Sequence, residues 1–310
     1  MRTGRAASPV VSPVISPWRL RWRRFRAHRT GMGSLVVLAL LVVFVASAWP
    51  VAHLLAVDPY ETDLLSQYGP PSPAHPLGTD EAGRDELVRL MLGGQVSLAV
   101  GVLATLVGSV IGLTIGVISG YFGKRLDAML MRFTDGVIAL PLLPLLIVLG
   151  ALDLTKLGFS QEFARSGAAG FWRVVVIVAL VDWTGIARLT RAATLALRER
   201  DYVRSARASG GGAAYIMTAH ILPNVATPLI VAVTLTVGRV ILFESVLSFL
   251  GFGIVAPMPS WGNMLNNAQE LVTTAPALAI YPGLLIFVTV IAVNFLGDGL
   301  QHAFDPRSER

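Results

Sequence analysis

Apolar residues gather in six long runs, at about 33–55, 94–119, 126–152, 171–189, 225–250 and 277–296. The segments between them are rich in proline, glycine, serine or arginine. Each run is close to the roughly 20 residues that an α-helix needs to cross the hydrocarbon core of a bilayer. The pattern predicts an all-α polytopic membrane protein with six transmembrane helices. The second run holds Gly94, Gly101, Gly108, Gly112 and Gly116. The last three recur every four residues and line one helical face, and small faces of this kind let helices approach closely in lipid. Simple tolerance of glycine in membrane helices is the alternative.

The connections differ in character. The loop 56–93 contains "PPSPAHPLGTDEAG" and reads as irregular. From about Arg84 it is predicted to turn helical, with Asp85 and Arg89 paired at i,i+4. In the loop 251–276, Pro257 and Pro259 interrupt any helix. Ser260 is placed to cap a short helix over 261–271. Trp261 suits a membrane interface. That helix either dips toward a central cavity or lies flat on the surface.

The connection at 198–223 is the unusual one. Its core, "YVRSARASGGGAAYIMTAHILPN", follows a dense run of arginines. Arg200, Arg204 and Arg207 share one helical face. Val203, Ala206 and Gly210 form a smoother stripe about a quarter turn away. Gly210, Gly211 and Gly212 end that helix. A second short helix is expected over 213–221, stopped by Pro223 before the fifth run begins. The result is a helix–bend–helix with a small-residue stripe open to a docking protein. The arginines alone would fit a basic loop resting on lipid. The stripe and the glycine bend would not.

Charge gives this pattern an orientation. Of 25 Lys and Arg, eight precede residue 33, three lie in 124–132, six in 188–207 and two at the C-terminus. Six crossings put all 19 of these on one side. Arg84, Arg89, Lys156, Arg165 and Arg173 fall on the other, and Arg239 lies within a run. By the positive-inside rule both termini are cytoplasmic. The basic excess then reports topology and contact with anionic lipid, not nucleic acid. "ASAWP" at 46–50 resembles a signal cleavage site. The basic region before it is too long and the apolar run continues past it, so an uncleaved first span is expected. Residues 1–17, rich in Ser and Pro, are expected to lack fixed structure. "WRLRWRRFRAHR" at 18–29 reads as an amphipathic segment on the inner leaflet. The chain thus divides into a basic segment 1–32, a six-span domain 33–300 and a tail 301–310.

The sequence carries no chemistry of its own. It has no cysteine. "GKRL" at 123–126 lacks the leading glycine of a nucleotide-binding loop. The histidines are scattered, and His75 in its proline-rich loop reads as structural. Among ionisable residues, Asp135, Asp182 and Asp298 are placed near span ends. Only Arg239 and Glu244 look deep. A deep charge marks either a structural pair or contact with a transported solute. An ion-coupled secondary transporter would also use such groups, but no interrupted-helix repeat accompanies them.

The segment 202–224 resembles the EAA loop of bacterial ABC importer permeases. Arg204, Ser205 and Ala206 stand at its triplet, with Gly210 and Leu222-Pro223 in place. Arg replaces the expected Glu, and Ser the first Ala. "HPLGTDEAGRDELVRLMLGG", "LSFLGFG", "PSWGNML" and "NFLGDGLQHAFDPR" are similar, in order, to the C-type permease of the dipeptide/oligopeptide branch. The resemblance runs from about Arg26 to Arg307. It implies the six-span type I importer permease fold and a cytoplasmic coupling helix that docks on an ATPase. That helix would use Tyr202, Val203, Arg204, Ser205, Ala206, Arg207, Gly210, Gly211, Tyr215 and Pro223. The implied partners are a homologous B-type permease, two cytoplasmic ATPase domains and an extracytoplasmic solute-binding protein. ATP and Mg2+ would sit on the ATPases, and this chain would bind no cofactor. Arg239, Glu244, Trp261 and Asn263 are the candidates for the solute path.

Overall fold

The computed structural model describes residues 17–164, 166–266 and 268–305. Most of the stretch expected to lack fixed structure, 1–16, lies outside them. In chain order the helices are α1 (Pro17–Ala27), α2 (Arg29–Ala46), α3 (Ala48–Leu55), α4 (Glu86–Phe122), α5 (Lys124–Ala139), α6 (Leu142–Gly150) and α7 (Gln161–Ala164). Then come α8 (Gly167–Arg198), α9 (Asp201–Ala208), α10 (Ala213–Tyr215), α11 (Leu222–Phe249), α12 (Ala268–Thr274) and α13 (Pro276–Phe304). Among the described residues, α2, α4, α8, the continuous run from α10 through α11, and α13 are each long and apolar enough to cross a membrane, and α5 with α6 makes a bent candidate.

The glycine face packs as its spacing predicts. α4 lies along α8 in the most extensive helix pair among the described residues. A Cβ on Gly112 would sit 2.5 Å from the Trp183 carbonyl oxygen, and one on Gly120 would sit 2.7 Å from Thr194 Cβ. Backbones this close leave no room for a side chain. Thr190 Oγ1 also reaches the Gly112 carbonyl at 3.3 Å. The core beside this seam is aliphatic: Val100, Ala104, Val174, Val178, Val240 and Leu247.

Several elements differ from the sequence expectation. The first run is two helices, hinged at Ser47, whose hydroxyl donates to the Phe44 carbonyl at 2.7 Å. The third run is broken. α5 and α6 meet at 83°, because Pro141 supplies no donor and forces Leu140 into an extended conformation (ψ 135°). The fifth span is longer than expected. Pro223 does not stop the preceding helix. α10 runs through a π-turn, Ile216–Ile221, directly into α11. Pro223 falls in the first turn of α11, immediately after the π-turn. The wide turn absorbs the mismatch at the join.

Asp85 and Arg89 do not pair. Asp85 caps α4 instead, accepting from the Val88 amide at 2.8 Å and meeting His75 Nδ1 at 3.0 Å. As an N-cap it stands outside the helix, so the i,i+4 geometry does not apply. Arg89 turns to Asp80, at 3.0 Å. The helix expected over 261–271 is a 3-10 turn at Asn263–Leu265 followed by α12.

The bundle has two distinct ends. α1 packs on the end of α13, where Phe25 is buried and Arg21 lies 4.9 Å from the Phe304 ring centroid. The ends of α4 and α8 meet there too, with Arg198 donating to the Gly120 carbonyl at 2.9 Å. The opposite end holds the loops after α3, α6 and α11. Amphipathic α1 thus docks on the bundle through buried Phe25, the Arg21–Phe304 contact and Arg24, which donates to the Asp305 carbonyl at 3.3 Å, and leaves Arg19, Arg23 and Arg26 exposed.

Candidate functional site

α9 hangs from α8 by the short link at Glu199 and Arg200. Val203 is fully buried. It packs with Val117 of α4, Ile216 and Ile221 of the π-turn, and Val225 of α11. Ala206 packs against the same cluster. The Val203/Ala206 stripe therefore does not face outward, as the sequence reading expected of a docking surface. Val203 and Ala206 are the inward-facing residues of a helix whose other residues, Ala208 among them, are exposed. They are spent on fixing α9 to its own chain.

The outward face is the other one. Tyr202, Arg204, Ser205 and Tyr215 are exposed. The Tyr215 and His220 rings meet edge-on at 5.3 Å, and Tyr202 lies 6.2 Å from the same histidine. Arg204 is 3.7 Å from Glu199, and Arg207 stacks 5.5 Å from the Tyr121 ring centroid. The arginines thus diverge, Arg207 toward α4 and Arg204 toward the α8 end.

The glycines end α9 with a defined turn. The Gly211 amide donates to the Ala206 carbonyl at 3.0 Å, and the Gly210 amide to Arg207 at 3.1 Å. This is the Schellman pattern. Gly210 has φ +85°, and nothing lies within 4 Å of where its Cβ would be. Glycine is needed there for its backbone conformation, not for close approach. Pro223 is part of the α11 start and is exposed beside Leu222.

Of the four residues proposed for a solute path, Glu244, Trp261 and Asn263 share one hydrogen-bonded network and Arg239 lies outside it. Glu244 is completely buried. It accepts from Ser97 Oγ and Ser248 Oγ, each at 2.8 Å. Those serines accept in turn from the Trp261 amide at 3.2 Å and the Ile254 amide at 3.0 Å. Glu244 is the hub that seats the loop 250–262 on α4 and α11. Trp261 is turned into the protein, not toward lipid. It is fully enclosed, and its indole N–H donates to the Leu90 carbonyl at 2.9 Å. Asn263 Oδ1 accepts from the Ser260 amide at 2.9 Å, and its amide nitrogen donates to Met258 at 2.8 Å and Ile254 at 3.2 Å. Ser97 and Ser248 escaped sequence reading because a lone serine in an apolar run carries no pattern.

Arg239 stands apart. Its Nη2 lies 2.7 Å from Asp182 Oδ1, with the Arg side chain 51% exposed. Asp182 is not near a span end. It is the middle of the 32-residue α8. On the far side of α8, Arg188 meets exposed Asp135 at 2.5 Å. Arg191 grips Asp127 of α5 with two bonds, at 2.5 and 2.7 Å. Among the described residues, no group of three or more His, Cys, Asp or Glu gathers to hold a metal.

A bundle of long apolar helices carrying an exposed short helix at its basic end fits a permease subunit of an ABC importer. The chain belongs to the family described as binding-protein-dependent transport system inner membrane component, whose model matches residues 112–310. The N-terminal transmembrane domain of oligopeptide transport permease C matches residues 16–71. The glutathione transport system permease protein GsiD of Pectobacterium atrosepticum is 38% identical over 94% of this chain and 91% of its own. A protein of Brucella suis biovar 1, assigned as a peptide permease, is 38% identical over 92% of this chain and 90% of its own. Among solved structures, an amino acid ABC transporter crystallised with histidines superposes with a TM-score of 0.50 at 18% identity. That match covers 68% of this chain and 91% of the other, and it bears on the fold alone.

Proposed function

We propose that this chain is one of two homologous permeases in an ATP-driven importer of dipeptides or oligopeptides, with α9 as the contact for a cytoplasmic ATPase. The observation that carries the reading is the way α9 is mounted. It offers Tyr202, Arg204 and Ser205 outward, while Val203 is locked between α4, the π-turn and α11. A push on its outer face passes through Val203 to helices that span the membrane. Two cytoplasmic ATPase domains, carrying ATP and Mg2+, would supply that push. A B-type permease would complete the path, and an extracytoplasmic binding protein would deliver the peptide. The peptide class rests on relatives named for peptide and glutathione transport. The arginine-rich ends support placing both termini and α9 in the cytoplasm, against anionic lipid.

The test is reconstitution of the whole complex in proteoliposomes with its binding protein and a mixture of peptides of two to five residues. Uptake is expected to need ATP and the binding protein together. Uptake driven by a proton gradient without ATP would overturn the reading.

A further inference from the structure

α1 carries Arg19, Arg21, Arg23, Arg24 and Arg26 and no carboxylate. It packs on α2 and α13. α2 adds Arg29 and holds no acid, while the end of α13 supplies Asp298 and Asp305. Among the described residues of these three elements, six arginines therefore stand against two carboxylates.

Between the same three helices lies a groove of about 300 Å³. Its walls include Trp22, Leu35, Leu296, Leu300 and Phe304, and Arg21 is the one charged residue that lines it. Leu296, Leu300 and Phe304 recur every four residues on one face of α13, a wall about 12 Å long. Arg21 stands at the Phe304 end, 4.9 Å from that ring. The charge is thus at the basic end of the bundle, and the wall leads from it toward the middle of the span. Apolar surface continues past Leu296, which also lines a second groove with Val102, Val237 and Val293. Half-exposed Trp22 stacks on Phe25 at 5.8 Å, and such a ring suits the headgroup boundary. A cation at the membrane face with an apolar wall leading inward matches a molecule with an anionic head and an apolar tail. A protein helix, apolar along its length, would leave Arg21 facing hydrocarbon. The anionic phospholipids of the cytoplasmic leaflet have the required form.

We infer that the α1–α2–α13 groove binds one anionic phospholipid of the inner leaflet, its phosphate on Arg21 and one acyl chain along Leu300 and Leu296. Exposed Arg19, Arg23 and Arg26 attract anionic lipid in general. Arg21 and the wall select a single molecule and hold it. The inference rests on the cytoplasmic placement of α1, and it is independent of the solute that the importer carries.

The experiment uses the full-length chain in its assembled complex, stripped of native lipid in mild detergent. It is titrated with phosphatidylglycerol, phosphatidylcholine and glycerol phosphate, and bound molecules are counted by native mass spectrometry. One phosphatidylglycerol per chain is expected to stay bound at about 0.5 M salt, where diffuse attraction is screened. Phosphatidylcholine lacks the net charge and glycerol phosphate lacks the chains, so each should bind about tenfold more weakly or worse. Arg21→Gln and Arg19→Gln remove the same charge. Arg21→Gln is expected to weaken binding about tenfold, and Arg19→Gln less than about twofold at that salt. Arg21→Lys should recover most of the loss. Leu300→Trp keeps every arginine and the Arg21–Phe304 contact but fills the groove, and it should lose the lipid. Equal effects of Arg19→Gln and Arg21→Gln would reduce the attraction to diffuse charge and overturn the inference. So would wild-type lipid retention in Leu300→Trp, or equal binding of phosphatidylcholine. A wild-type complex that binds no lipid there, with a subunit lost in Leu300→Trp, would assign the groove to a contact between subunits and overturn it equally. Access to a label at position 125 from outside would instead defeat the cytoplasmic placement on which the inference stands.

Discussion

At the residue scale, two positions carry consequences that differ from what their residue types alone imply. Gly210 was a natural place to expect crowding, yet its surroundings are open and its φ of +85° is the constraint. A side chain in the left-handed region costs about 1–2 kcal/mol. Gly210→Ala is therefore expected to loosen α9 nearly as much as Gly210→Val does, seen as faster amide exchange over 201–212. A near-normal Ala variant beside a badly damaged Val variant would point to crowding instead. Glu244 is the second. Its carboxylate accepts from two buried hydroxyls that themselves hold loop amides. Glu244→Ala leaves both hydroxyls without an acceptor and should cost about 3 kcal/mol. Glu244→Gln keeps one acceptor oxygen and should cost about 1 kcal/mol. Thermal unfolding of the purified complex gives the order, and equal stability of both variants would contradict the hub role. The sequence showed that Glu244 was deep. It could not show the bond partners, which lie 147 residues away in Ser97 and four away in Ser248.

At the element scale, legibility followed the length of the pattern. Long apolar runs gave the spans, and a glycine every four residues gave the α4–α8 seam, because both depend on periodicity alone. Breaks inside runs were lost. Leu140-Pro141 turns the third span by 83°, yet prolines are common in membrane helices and this one had no louder signal than Pro228, which α11 absorbs. Pro223 was misread for the opposite reason, since only the π-turn before it allows the helix to continue. Of the expected stripe, Val203 and Ala206 do share one face of α9, but that face points inward and Gly210 lies past the helix end, exposed. Periodicity identifies a face but not which neighbour covers it. The broken span also makes α5 a separate lever. It is tied to α8 by the two Arg191–Asp127 bonds and to α4 by Ser119 Oγ, 2.5 Å from the same carboxylate. Asp127→Asn removes the charge that holds this fork. Exchange over 124–139 is expected to rise roughly tenfold, since a partly buried charged bond is worth about 1.5–3 kcal/mol. Unchanged exchange would show that α5 is held by apolar packing alone.

At the scale of the whole molecule, the charge count and the packing describe the same alternation. The ends of α4, α8 and α13 cluster with α1 and α9, and the loops of the other end cluster with each other. The chain has no cysteine, so single cysteines can be labelled without background. Labels at positions 70, 125, 165, 208 and 265 are expected to alternate outside, inside, outside, inside, outside. Access to position 70 from the cytoplasm would reject the orientation. On the function proposed above, α9 receives force on its outward face and passes it inward through Val203. The most direct measurement is capture of the ATPases by the assembled permease pair, read beside ligand-stimulated hydrolysis, in Tyr202→Ala/Ser205→Glu and in wild type. Both residues are exposed, so the variant should fold and keep its partner permease. It is expected to lose the ATPases, or to hold them while hydrolysis no longer responds to the loaded binding protein. Wild-type capture together with wild-type stimulated hydrolysis in that variant would contradict the account and leave α9 a basic loop at the membrane surface.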